Sequence, residues 1–168
     1  MQDADFDELY LQFSDKIYKY FYWQVKDPYL AEDFTGEVFL RAWKNWKRFK
    51  PDYSSAWLYK IARNLLIDYW RQKKNKKELS LETSIEEGIE PSYDEDLIEK
   101  IQNDNDIQDL HKAIDSLPEN LREVVILRFI EELSAREVGE ILNITEVNVR
   151  VLQYRGLQKL KEFFKNEK

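Results

Sequence analysis

Apolar side chains recur at helical spacing along most of this chain. In residues 6–21 they fall three and four positions apart over about four turns, and residues 29–47 and the stretch from about residue 55 repeat the pattern. An Asp27-Pro28 pair before the second series is typical of a helix N-terminus, with the aspartate as N-cap and the proline at the first helical position. No segment alternates apolar and polar side chains as a half-buried strand would. The sequence therefore predicts an all-α fold.

Charge is distributed unevenly along the sequence. Residues 51–77 contain seven basic and two acidic side chains, whereas residues 78–120 contain two basic and fourteen acidic ones. A basic block followed at once by an acidic one indicates separate partners, although a solvated helix end and a solvated linker would give the same pattern. We predict two small helical domains joined by an acidic flexible linker: an N-terminal three- to four-helix bundle at residues 1–77, the linker at 78–106 and a second helical domain at 107–168.

Composition argues against several classes of protein. The chain has no cysteine and one histidine, His111, which is too little for a disulfide, a cysteine-ligated metal site or a serine–histidine triad. No glycine-rich phosphate loop is present, and the carboxylates cluster in the linker, away from apolar surroundings. Residues 1–25 lack a signal-peptide pattern, and no apolar run approaches the roughly 20 residues of a membrane span. We therefore expect a cytoplasmic protein that is not an enzyme, needs no cofactor or metal and does not insert into a membrane.

The clearest motif lies between Ser134 and Leu160. The segment from Ser134 to Glu137 has the spacing of a capping box, in which the serine hydroxyl accepts from the glutamate amide and the glutamate side chain reaches back. Gly139 leaves room for two helices to meet at a steep angle, and Asn143 tolerates the left-handed backbone of a tight turn. The apolar contacts between the helices are expected from Val138, Leu142, Ile144, Val149 and Leu152. Together these features predict a helix-turn-helix.

The second helix of this motif, capped by Thr145, would carry side chains suited to a DNA major groove. Arginine fits guanine edges and phosphates, asparagine fits adenine, and valine fits the thymine methyl group. The predicted duplex-reading residues are Glu146, Val147, Asn148, Arg150, Val151, Tyr154, Arg155 and Gln158. An ordinary helical hairpin with a polar outer face is the alternative interpretation.

A largely basic and amide stripe follows one face of the predicted third helix. Its members, at helical spacing, are Lys60, Arg63, Asn64, Ile67, Arg71 and Lys74. Tyr59, Tyr69 and Trp70 lie close by, and a basic groove with aromatics beside it suits single-stranded nucleic acid. A solvated helix face is again the alternative.

Three segments resemble extracytoplasmic-function sigma factors of the sigma-70 family. AEDFTGEVFLRAW at residues 31–43 is similar to the second conserved region of that family, and AWLYKIARNLLIDYWR at residues 56–71 is similar to the segment that melts and reads the promoter −10 element. Leu117-Pro118 and the residues that follow, through the helix-turn-helix, resemble the region that reads the −35 element. The resemblance includes both ends of the chain, in the expected order.

The resemblance implies roles for individual positions. Residues that would bind the polymerase are Asp33, Glu37, Phe39, Leu40, Arg41 and Trp43. Residues that would contact the −10 element are Lys60, Arg63, Asn64, Asp68, Arg71 and Lys74. The loop at residues 47–55 would help to hold a flipped base, and the helix at 146–158 would read the −35 duplex.

The resemblance also implies partners. These are core RNA polymerase, through its β′ clamp helices and β flap, promoter DNA, and an anti-sigma factor that covers the polymerase-binding surfaces. The predicted function is that of an alternative sigma factor, with weak binding to free DNA that polymerase relieves. Two alternatives stay open from the residues alone: a stand-alone helix-turn-helix regulator that binds duplex DNA without polymerase, often as a dimer, and a protein-only helical adaptor.

Overall fold

The computed structural model describes residues 2–49, 55–83 and 105–166, and every described element is helical. The elements are α1 Gln2–Val25, α2 Pro28–Phe49, α3 Ser55–Thr83, α4 Asn105–Asp115, α5 Glu119–Val125, a π-helical turn Ile126–Ile130, α6 Ala135–Leu142 and α7 Glu146–Asn166. The predicted all-α fold is confirmed. The predicted loop at residues 47–55 lies largely outside the described residues, as does most of the predicted linker.

The connection between α1 and α2 is tight because two residues resolve it. Lys26 adopts a left-handed backbone with φ 57°, and its amide donates to the carbonyl of Tyr22. Oδ1 of Asp27 accepts from the amides of Tyr29 and Leu30, at 3.0 and 3.2 Å. The aspartate therefore satisfies two of the amides that a helix start leaves without partners, as the sequence predicted.

The core of the N-terminal bundle forms where α1, α2 and α3 meet. Fully buried side chains from all three helices include Ile17, Phe21, Val38, Leu58 and Leu66. The aromatic residues pack edge-on against one another, as in the Phe6–Trp46 pair with ring centroids 5.6 Å apart. The dense aromatic content of the first half of the sequence is thus largely accounted for by packing.

α3 extends beyond the end of the predicted first domain at residue 77. It continues to Thr83, so the first six residues of the predicted linker belong to this helix. Residues 71–83 contain neither glycine nor proline and are rich in lysine, glutamate and leucine, which favour a helix. The acidic composition of the segment marked a change of charge at that point and not a change of backbone.

The C-terminal helices pack around α7. Gly156 of α7 lies so close to α5 that a Cβ there would be 2.8 Å from Cγ2 of Val125. The π-helical turn follows α5 directly, and the amide of Glu131 donates to the carbonyl of Ile126 at 2.9 Å, five residues back. This turn brings Glu131 against the N-terminal bundle, where α3 also meets α6 and α1 meets the π-helical turn.

Candidate nucleic-acid interface

The turn between α6 and α7 has the geometry predicted for a helix-turn-helix. Oγ of Ser134 accepts from the amide of Glu137 at 3.1 Å, and Oε1 of Glu137 accepts from the amide of Ser134 at 3.2 Å. Asn143 has φ 58° and ψ 47°, the left-handed conformation expected of it. A Cβ on Gly139 would lie 2.8 Å from the carbonyl oxygen of Ile144, so only glycine fits at this crossing.

α7 is anchored on one face and exposed on the other. Oγ1 of Thr145 accepts from the amide of Asn148 at 3.1 Å and starts the helix, while Val149 is fully buried beneath it. All eight predicted duplex-reading side chains are exposed: Glu146, Val147, Asn148, Arg150, Val151, Tyr154, Arg155 and Gln158. Nη2 of Arg150 lies 2.7 Å from Oε1 of Glu146, which extends the arginine along the outer face.

One contact that supports α7 was not identified from the sequence. Nε of Arg128 donates to Oε1 of Gln153 at 2.8 Å, and Nη1 of the same arginine donates to the carbonyl of Leu133 at 2.7 Å. Arg128 therefore ties the reading helix to the segment before α6. Nothing in its local sequence distinguishes it from a solvated arginine.

The basic stripe on α3 is mostly available to solvent. Lys60, Asn64, Asp68, Arg71 and Lys74 are exposed. Arg63 is half-buried, because its Nε lies 2.9 Å from Oε1 of Glu123 and its Nη2 lies 3.4 Å from Oε2. Glu123 itself is buried on α5.

The aromatic residues beside the stripe are not free to stack on bases. Tyr59 is fully buried, and its hydroxyl donates to Oε2 of Glu131 at 2.7 Å, so the expectation that it flanks a DNA groove is wrong for this structure. Trp70 is half-buried under the guanidinium of Arg122, 5.4 Å from the ring centroid. Tyr69 packs edge-on against Phe34, with ring centroids 5.3 Å apart.

Three residues of α3 at four-residue spacing each meet a glutamate of the C-terminal half. Ser55 donates to Oε2 of Glu137 at 2.6 Å; Tyr59 and Arg63 contact Glu131 and Glu123 as described above. We call these three glutamates, Glu123, Glu131 and Glu137, the carboxyl ladder.

The three carboxyl groups do not share one electrostatic environment. The hydrogen bond from Ser55 lowers the pKa of Glu137, whose carboxylate is also bonded to Ser134. Burial raises the pKa of Glu131 to about 7, although the hydrogen bond from Tyr59 and nearby lysines act in the opposite direction. Neutral pH therefore lies close to the titration of the middle carboxyl group.

A second contact joins the two halves at the end of α1. The rings of Trp23 and His111 stack with centroids 3.6 Å apart, and Lys26 forms an ion pair with Asp115. Burial lowers the pKa of His111 to about 4, so the imidazole is neutral in this stack. The expectation that His111 is a partly buried helix residue is confirmed.

The predicted polymerase-binding residues lie along α2. Asp33, Leu40 and Trp43 are exposed, the two apolar side chains by 47% and 46%, and Glu37 pairs with Arg41 at 3.1 Å. Phe39 is only 4% exposed and packs inside the bundle. In this structure it therefore supports the patch from below and does not form part of its surface.

An aromatic residue of α1 extends this patch. Tyr10 belonged to the apolar series of α1, yet it is 46% exposed and lies edge-on to Phe39 at 4.9 Å. Phe6 likewise packs against Trp43 at 5.0 Å. The helical spacing of α1 assigned both residues to its apolar face but did not indicate which of them would reach the surface.

Known families match both halves of the chain. The family model for Sigma-70 region 2 matches residues 9–76, and that for Sigma-70 region 4 matches residues 107–160. The ECF RNA polymerase sigma factor SigM of Bacillus subtilis (strain 168) is 31% identical over 159 residues, 94% of each chain. SigW of the same organism is 36% identical over 170 residues, 96% of this chain and 89% of SigW. The chain belongs to the ECF sigma factor family.

As an ECF sigma factor, it is an alternative sigma factor that directs transcription initiation. Its fold is also that of solved sigma factors. Sigma factor RpoE of Bartonella quintana, solved in complex with the anti-sigma factor NepR, matches with a TM-score of 0.76 at 22% identity, over 98% of this chain and 99% of that one. CnrH, solved in complex with the cytosolic domain of CnrY, matches with a TM-score of 0.74 at 17% identity, over 99% and 91%.

Two further searches of this sigma factor were negative within residues 2–49, 55–83 and 105–166. No helix there is both long enough and apolar enough to cross a membrane. No group of three or more histidine and acidic side chains is placed to hold a metal ion in those segments.

Proposed function

We propose that this sigma factor recognises the −10 element as a single strand through α3 and the −35 element as a duplex through α7, while it is bound to core RNA polymerase. The domain at residues 1–77 would perform the first task, the domain at 107–168 the second, and the acidic linker at 78–106 would join them. The observation that carries the proposal is that α7 exposes all eight groove-suited side chains while its opposite face is anchored in the core.

Duplex reading by α7 rests on its shape and chemistry. The helix is 21 residues long, and its first turns, where such motifs contact bases, carry Val147, Asn148 and Arg150. Arg155 lies farther along the exposed face, where it can reach a phosphate. Because phosphate and base contacts are split in this way, the affinity should depend on salt and the specificity on the first turns.

Single-strand binding by α3 rests on the exposed members of its stripe. Lys60, Arg71 and Lys74 supply positive charge along three turns, and Asn64 and Asp68 can bond to base edges. Arg63 belongs to the same face, but binding DNA requires that it first leave Glu123. The loop at residues 47–55 would complete the site.

Polymerase binding is assigned to α2. Asp33, Glu37, Arg41, Leu40 and Trp43 would contact the β′ clamp helices, with Phe39 as support for Trp43 and its neighbours, and the C-terminal domain would contact the β flap. Half-exposed leucine and tryptophan rimmed by charged groups are typical of a protein interface. The two structural neighbours are complexes with anti-sigma partners, and we propose a partner of that kind for this chain. The protein would be cytoplasmic, without enzymatic activity and without a cofactor.

Run-off transcription with core RNA polymerase tests the proposal. Purified protein and core enzyme should initiate at a subset of promoters from a genomic library, and neither component alone should do so. A gel shift of the same promoters with free protein separates this function from a stand-alone regulator, which would bind duplex DNA tightly without polymerase. Absence of initiation at every promoter would contradict the proposal.

A further inference from the structure

The face of α3 that carries Arg63 is covered by the chain's own C-terminal half. Ser55, Tyr59 and Arg63 lie on one face of α3, and the carboxyl ladder meets them one for one. The contacts are short, at 2.6, 2.7 and 2.9 Å, and they join residues that are 60 or more positions apart in sequence.

The ladder offers α3 the same chemistry as a nucleic-acid backbone. Arginine binds carboxylates and phosphates through the same pair of N–H groups, and tyrosine and serine hydroxyls donate to either anion. Glu123 uses both of its oxygens on Arg63 and is itself buried. A DNA phosphate therefore cannot reach this arginine until Glu123 has moved away.

Contacts outside the ladder hold the same arrangement. The Trp23–His111 stack and the Lys26–Asp115 ion pair join α1 to α4, and Arg122 lies over Trp70 of α3. The covering of α3 is thus produced by several contacts spread over two helices of the N-terminal bundle. A single fortuitous salt bridge would not have this extent.

The covered face is suited to release. Oε1 of Glu131 and the hydroxyl of Tyr20 are buried at this interface and have no hydrogen-bond partner among the described residues. Buried groups left without partners each cost about 1–3 kcal/mol, and polar inter-domain interfaces behave like transient ones. The interface therefore has chemical specificity without the apolar contact that would make it permanent.

We propose that the chain inhibits itself: in the closed form the carboxyl ladder occupies the α3 face that the −10 strand must use, so ladder contact and strand binding exclude each other. This inference rests on the proposed function of α3. Core polymerase, by engaging the two domains at separate places, would draw the C-terminal half away from α3 and release the DNA-binding face.

A reversible cross-link tests whether the closed form is inactive. The chain has no cysteine, so a Lys26→Cys/Asp115→Cys variant carries only the two introduced thiols, at positions outside the proposed DNA-binding and polymerase-binding residues. A reductant-cleavable bismaleimide should lock it closed. We expect the locked protein to bind a short fluorescein-labelled random-sequence single strand roughly five- to a hundredfold more weakly than the same sample after cleavage. Equal binding before and after cleavage would overturn the inference.

A second variant opens the ladder. Glu123→Gln should bind the same single strand more tightly than the unmodified protein, because the amide holds Arg63 less strongly. Glu140→Gln on α6 is the matched control, since Glu140 is exposed and contacts only Arg136 of the same helix at 3.9 Å. Unchanged or weaker binding by Glu123→Gln would overturn the inference. Failure of the proposed function would instead appear as absence of run-off transcription by the unmodified protein.

Discussion

Arg63 of α3 and Glu123 of α5 form an ion pair across the two halves of the chain, with Nε 2.9 Å from Oε1. The arginine belongs to the stripe that the sequence assigns to promoter DNA, whereas the glutamate belongs to the domain that reads a different promoter element. The pair shows that one side chain has two competing anionic partners. Several properties of the molecule can be tested around this contact and around the helix-turn-helix.

The pH dependence of stability should reveal Glu131. Burial raises the pKa of this carboxyl to about 7, above its ordinary value near 4.5, so between these values the folded protein keeps a proton that the unfolded chain has lost. Its contribution to stability is therefore fully present below about pH 4.5 and is lost as the pH rises through 7. Urea unfolding from about pH 5 to 8 should show this decline in the unmodified protein and a smaller one in Glu131→Gln.

The interpretation of that titration depends on the groups around Glu131. Tyr59 bonds to it and Lys16 and Lys19 are close enough to act on it, and none of the three is altered in the variant. Glu137 has the opposite sign, because its lowered pKa makes it stabilising at neutral pH and less so in acid. Identical pH profiles for the unmodified protein and Glu131→Gln would contradict the assignment.

Two glycine substitutions should change stability in opposite directions. Gly139→Ala places a Cβ 2.8 Å from the backbone oxygen of Ile144, which cannot move without breaking the turn, so we expect a loss of about 1–3 kcal/mol. Gly36→Ala meets nothing within 4 Å in the interior of α2 and should stabilise the protein by up to about 1 kcal/mol. Chemical denaturation measures both, and a stabilised Gly139→Ala would show that the crossing is looser than described.

The left-handed residue at the turn gives a third test. Asn143→Gly should leave stability within a few tenths of a kcal/mol, whereas Asn143→Ala should cost about 1 kcal/mol, because a Cβ without a compensating polar group is strained at φ 58°. Asn45→Ala is the control, since Asn45 is an exposed residue within α2, where alanine is favoured. Thermal unfolding of the three variants should therefore give one near-neutral, one lowered and one raised midpoint. Equal midpoints for the two Asn143 variants would contradict this view of the turn.

Duplex recognition should depend on position along α7 and not on charge alone. Arg155→Ala removes an exposed arginine from the proposed reading face and should weaken initiation at a responsive promoter by an amount equivalent to about 1–3 kcal/mol. Lys165→Ala removes the same charge from the last turn, outside that face, and should have little effect. Run-off transcription and unfolding measured on the same samples separate lost recognition from lost folding. Equal losses for both variants would indicate non-specific electrostatics.

The helix-turn-helix was predictable residue by residue because its determinants are local. The capping box at Ser134, the close approach at Gly139 and the left-handed Asn143 each depend on neighbours within a few positions, and the sequence displays all of them. The start of α2 at Asp27-Pro28 was predictable for the same reason. Local hydrogen bonding leaves a direct trace in residue type and spacing.

The contacts between the halves could not be predicted from one sequence. Glu123, Glu131 and Glu137 have no common spacing that singles them out from the other acidic residues, and their partners on α3 are 60 or more positions away. For the same reason Tyr59 was assigned to a DNA groove although it is buried. The extension of α3 to Thr83 was missed because composition was used to place the domain boundary, and an acidic, helix-favouring segment satisfies both interpretations.

The tether from Arg128 to Gln153 has a consequence for how the C-terminal domain meets its target. Together with the cap at Thr145 it holds α7 in one orientation before any DNA is present. Such preorganisation means that little conformational entropy remains to be lost on docking. The domain should approach a promoter as a rigid body, and adjustment at that contact should fall on the bend and groove width of the duplex.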